Sequence, residues 1–150
     1  DKASLFINGE EVRAIHTANA HTDGDSLVWF KVSNVIHMGD IFFNLRYPFI
    51  DHETGGTIDG TIQGVEKALK KADGETIVIP GHGPVTDRAG LEAYLALLKD
   101  VRARVAALKG KGKSLAEVQA AKPSAAYDEV WSQNFVSGDM FIAMVYETLP

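Results

Sequence analysis

Three times in this sequence a strand-prone run ends in a tight, glycine-containing loop carrying a side chain able to hold a metal. The segments are His21-Thr22-Asp23-Gly24-Asp25, His37-Met38-Gly39-Asp40 and Pro80-Gly81-His82-Gly83-Pro84. Glycine lets the backbone turn sharply, so a side chain at a strand end can point across the mouth of a sheet. With no cysteine in the chain, neutral imidazole and carboxylate are the remaining ligands, and they suit zinc, iron or manganese.

The residues between these loops supply the matching elements. Ser4 to Asn8, the Asn8-Gly9 turn signal and the alternation of Val12, Ala14 and His16 predict a hairpin. Leu27 to Lys31 and Asn34 to Met38 read as two more strands, followed by a long aromatic loop from Ile41 to Gly56. Ile58, Ile62, Val65, Ala68 and Leu69 fall at helical spacing within Thr57 to Lys71. Thr76 to Ile79 reads as a buried strand. Asp87 then caps a long helix to Lys109, with Leu91, Leu95, Leu98, Val101, Val105 and Leu108 as its apolar stripe. Ser114 and Glu117 sit at capping-box spacing for a short helix ending near Ala121, and Phe141 to Tyr146 reads as a helix or a strand.

At 150 residues with 45% hydrophobic content, one core is the expectation. The net charge of -5 and the clustering of basic residues only in a stretch from Lys99 to Lys113 argue against a nucleic-acid partner. No apolar run reaches membrane-spanning length. The chain begins at Asp1 rather than Met with no visible signal peptide, which suggests a processed or cut polypeptide. Its cellular location stays open, with a periplasmic or secreted bacterial parent as the preference.

The order His-Thr-x-Gly-Asp, a hydrophobic strand ending in Gly-Asp, and Pro-Gly-His-Gly resembles the second half of metallo-β-lactamase-superfamily proteins over about residues 4 to 109. The resemblance implies an α/β (α+β) fold: the carboxy-terminal half of an αββα sandwich, one mostly antiparallel sheet with covering helices. Residues 1–150 would form that half-domain, with a core over about 4–109 and a helical tail over 110–150. It further implies that His21, Asp40 and His82 are metal ligands, with Asp40 bridging two positions and acting as the catalytic carboxylate. The cofactor would be one or two zinc ions, with iron as the alternative. The implied activity is hydrolysis of an amide, ester or thioester in a small-molecule substrate by a metal-held hydroxide.

The family's principal motif, His-x-His-x-Asp-His, is absent from this sequence, and His16, His37 and His52 are not spaced to imitate it. The expectation is therefore an incomplete site, inactive alone, needing the missing amino-terminal half or a second copy as partner. Two other readings stand beside the hydrolase: a non-catalytic assembly module pairing sheet to sheet, and an iron-dependent oxidoreductase of the same fold. His16 reads as packed or solvated, His37 as support for the core or for the ligands, and His52 as surface. Asp23 and Asp25 are expected to order the turn that carries His21. Arg46 and Tyr47 are the candidate substrate-binding residues, Arg46 because a guanidinium grips a carboxylate through two parallel bonds.

Overall fold

A five-stranded sheet forms from β1 (Lys2–Ile7), β2 (Glu10–His16), β3 (Ser26–Phe30), β4 (Val35–His37) and β5 (Ile77–Ile79), in that spatial order. The computed structural model describes residues 2–133 and 135–149. The β1–β2 connection places Asn8 and Gly9 at φ of 52° and 82°. Both values lie in the left-handed region that a two-residue turn between twisted strands requires, and Asn and Gly reach it at least cost. The first four strands pair antiparallel, whereas β4 and β5 pair parallel. That pairing needs a crossover, which α1 (Ile58–Leu69) supplies.

Both long helices begin where the sequence predicts. The Thr57 hydroxyl accepts from Gly60 N at 2.9 Å, and the Asp87 carboxylate accepts from Gly90 N at 3.0 Å to open α2 (Arg88–Lys109). Each bond satisfies an amide that a helix start leaves without an internal partner. On the apolar stripes of the two helices, Val65, Ala68, Leu91, Leu98 and Val101 are fully buried in one cluster with Leu27, Ile36 and Val78 from one face of the sheet, and Leu69, Leu95 and Leu108 are partly buried beside them.

The tail carries one helix that the sequence did not mark, and Phe141 to Tyr146 lies in a helix rather than a strand. It contains α3 (Leu115–Ala120), opened by the Ser114–Glu117 capping box, then α4 (Ala125–Trp131) and α5 (Gly138–Thr148). Tyr47, in the long loop after β4, ties this tail down. Its ring is buried and stacks on Phe141, with centroids 4.7 Å apart. Its hydroxyl donates to Asp128 Oδ1 at 2.7 Å, with the Ser124 carbonyl 3.2 Å away.

Strand residues alternate between the two sheet faces. Ala3, Leu5 and Ile7 on β1, Val12 and Ala14 on β2, Val28 and Phe30 on β3, Val35 on β4, and Ile77 and Ile79 on β5 share the face opposite the helices. That face is uncovered: Leu5 is 70% and Ile77 48% exposed.

The anchoring role of Tyr47 gives a stability prediction. Tyr47→Phe removes the hydroxyl and leaves the ring, and should lower unfolding stability by about 2 kcal/mol, the worth of a hydrogen bond to a charged group. Urea denaturation followed by circular dichroism measures it; an unchanged midpoint would show that the hydroxyl does not hold the tail.

Candidate metal centre

β2 and β4 are both antiparallel to β3, and β5 runs parallel to β4, so the carboxy-terminal ends of β2, β4 and β5 lie along the same edge of the sheet. The three glycine-containing loops leave from those ends. They bring His21, Asp40 and His82 to the mouth of one cavity.

The loop after β2 is pinned from two sides. Thr22 N donates to Asp25 Oδ2 at 2.6 Å, and Asp23 N donates to the Thr54 carbonyl at 3.0 Å. Asp25 thus orders the turn through its side chain, as its position predicts, while Asp23 contributes its backbone. His21 emerges half-buried, and its Nδ1 lies 2.7 Å from the Phe49 carbonyl. A carbonyl only accepts, so Nδ1 carries the proton and donates. The lone pair is left on Nε2, which faces Asp40 Oδ2 at 3.9 Å. Such fixing of the tautomer by a backbone acceptor is how metal-binding histidines are commonly oriented.

His82 approaches from the other side. Gly81 N donates to the Gly39 carbonyl at 2.8 Å, and a Cβ at Gly81 would fall 2.4 Å from Asp40 Oδ1. Only glycine lets this loop lie so close to the carboxylate. Asn44 clamps the loop twice: its N donates to the His82 carbonyl and its Nδ2 to the Pro84 carbonyl, each at 2.8 Å. Phe43 stacks on the imidazole with centroids 4.7 Å apart. His82 Nε2 is held 3.3 Å from Asp40 Oδ1.

The two carboxylate oxygens therefore face two different histidines. Donors on one tetrahedral zinc, each about 2.0–2.1 Å from the ion, lie roughly 3.3 Å apart. The His82–Asp40 pair matches that spacing, and the His21–Asp40 pair is 0.6 Å wider (3.9 against 3.3 Å). The residue types and their orientation fit a carboxylate shared between two metal positions. The donor count falls short: among the described residues no group of three His, Asp or Glu side chains meets the geometry of a metal site.

The other histidines lie outside the cluster. His16 Nε2 donates to the Asp23 carbonyl at 2.7 Å, and His52 is exposed, 3.9 Å from Glu147. His37 corrects the sequence reading: it supports neither the core nor the ligands. It lies on the uncovered face and is exposed, because strand alternation turns Met38 inward in its place, and its Nδ1 accepts from Gly39 N at 3.1 Å.

Arg46 and Tyr47 both line the cavity, but the Tyr47 hydroxyl is spent on Asp128 and is not free to bond a ligand. Burial, reinforced by the acceptor Asp128, pushes the Tyr47 phenol well above its usual range and keeps it protonated. The remaining wall comes from residues the sequence did not mark: Phe49 from the loop after β4, and Phe135 and Val136 from the connection between α4 and α5.

No family model matches the chain, and no curated protein does either. Solved structures do match. A metallo-β-lactamase from Pontibacter korlensis superposes with a TM-score of 0.57 at 17% identity, covering 67% of this chain and 46% of that one. The DIM-1 metallo-β-lactamase gives 0.53 at 24% identity, with 66% and 45% covered. The stereoselective inverting sec-alkylsulfatase Pisa1 from Pseudomonas sp. gives 0.72 at 17% identity, covering 97% of this chain, helical tail included, and 25% of its own. The chain thus spans less than half the length of these structures. Over that part it carries the metallo-β-lactamase fold.

Proposed function

We propose that this chain contributes His21, Asp40 and His82 to the centre of a metal-dependent hydrolase acting on an amide, ester or thioester. The observation carrying this reading is the placement of Asp40, each of whose oxygens is met by a different imidazole presenting Nε2. A zinc ion bound there would polarise the scissile carbonyl and lower the pKa of water toward neutrality. The chain's own part is positional. Phe49 holds the His21 tautomer, the Asn44 clamp and the Phe43 ring hold His82, and the Gly39–Gly81 contact sets Asp40 between them. With two donors at each position, further ligands must come from outside these residues, so the chain alone is proposed to be inactive. Likeness to two kinds of hydrolase, lactamases and a sulfatase, supports the reaction class and leaves the bond cleaved open.

The uncovered apolar face supports a second part of the reading. A sheet with one face in water normally alternates apolar and polar residues, and an apolar area of this extent is unfavourable in solution. We propose that this face packs against another sheet, either the missing amino-terminal half or, in the isolated chain, a second copy.

Two measurements test these proposals. Zinc titration of the purified chain should show binding that Asp40→Ala weakens at least about tenfold and that His21→Ala and His82→Ala each weaken in part. Equal zinc binding by wild type and Asp40→Ala would refute the shared-carboxylate reading, and selective retention of iron would favour the oxidoreductase alternative. Light scattering should give the isolated chain the mass of a dimer at micromolar concentration. Phe30→Glu, which places a charge on the uncovered face, should return it to monomer; a wild-type monomer would refute pairing between two copies.

A further inference from the structure

The cavity beside Asp40 encloses ≈ 360 Å³, and its wall is largely apolar apart from the metal-site residues and one cation, Arg46. The other arginines are all neutralised: Arg13 pairs with Glu11, Arg88 with Glu92, Arg102 with Asp59 and Arg104 with Asp100. Among the described residues Arg46 makes no ion pair and no hydrogen bond, although it is half-buried. A half-buried guanidinium in the wall of an aromatic-lined cavity, with its five donors unused, suits a planar or tetrahedral oxyanion that it can grip through two parallel bonds.

The opposite wall asks for something else. Phe49 and Phe135 meet in a tilted pair with centroids 6.0 Å apart, Val136 is buried beside them, and Phe135 is itself 76% exposed at the rim. An exposed aromatic bordering an apolar cavity marks a binding surface more than a packing one. Phe135 and Val136 belong to the connection between α4 and α5, so the tail supplies this wall.

We infer that the cavity selects an amphipathic anion: a carboxylate or sulfate gripped by Arg46, with an aryl or alkyl arm lying against Phe49, Phe135 and Val136. On the hydrolase reading, the bond to be cleaved then lies between these two ends, toward Asp40. The tail thereby acts as a specificity element rather than a mere cover for the core.

Calorimetric titration of the full chain in chelator, with 4-phenylbutyrate, 4-phenylbutyl sulfate and 4-phenylbutanamide as probes, separates the two contributions. Both anions should bind about tenfold or more tighter than the amide. Arg46→Gln should bring the anions down to the level of the amide and leave the amide unchanged, with Arg46→Lys intermediate. Phe135→Ala should weaken all three probes alike. The tighter of the two anions identifies the oxyanion. No preference for anions, no binding by any probe, or an equal loss for all probes in the Arg46 variants would overturn the inference. Chelator keeps this outcome independent of metal: failure here with intact zinc binding removes only the substrate class, whereas anion selectivity without zinc binding removes only the hydrolase reading.

Discussion

The parallel pairing of β4 with β5 governs the rest of the structure. Ile36 lies beside Val78, and Met38 N donates to the Ile79 carbonyl at 2.8 Å. These contacts make the chain leave both strands at the same edge, three residues before Asp40 in one case and three before His82 in the other. Ligand sites in open sheets of this kind lie at such carboxy-terminal ends, where loops from neighbouring strands converge. β2 ends at that edge too, because it and β4 are both antiparallel to β3, and it delivers the turn that carries His21. A site assembled from residues far apart in sequence follows from strand direction alone.

Close backbone approach makes the assembly tight. A side chain at Gly81 would collide with the Asp40 carboxylate, and one at Gly60 would meet the Asn19 carbonyl at 1.8 Å. The first contact fixes the distance between the loops after β4 and β5. The second lets the start of α1 rest on the segment leading to His21. Hydrogen bonds then set orientation: Phe49 acts on His21 and Asn44 on the loop around His82. The long loop after β4 supplies both, so the segment that closes over the sheet edge is also the one that aligns the imidazoles.

Much of this was legible in the residues. Asn8-Gly9, Asp87 and the Ser114–Glu117 pair mark element ends by local chemistry, and each sits where that chemistry places it. The three loops identified His21, Asp40 and His82, and the structure brings them together. The readings that failed depended on direction. His37 and Met38 are adjacent, and only the tertiary fold decides which faces inward. Tyr47 borders the cavity as expected, yet Asp128, 81 residues away, draws its hydroxyl elsewhere. Helix α4 left no sign because Ser124 makes no side-chain cap to it and the helix spans only seven residues. Phe135 and Val136 gave no local signal at all, since their place in the cavity wall depends on how the whole tail docks.

Anomalous diffraction at the zinc edge from zinc-soaked crystals decides whether Asp40 stands between two metal positions. Zinc is expected within bonding distance of Asp40 on both sides, one ion near Oδ2 and His21 Nε2 and one near Oδ1 and His82 Nε2. Zinc bound elsewhere on the chain, with no anomalous peak in reach of Asp40, would contradict that placement.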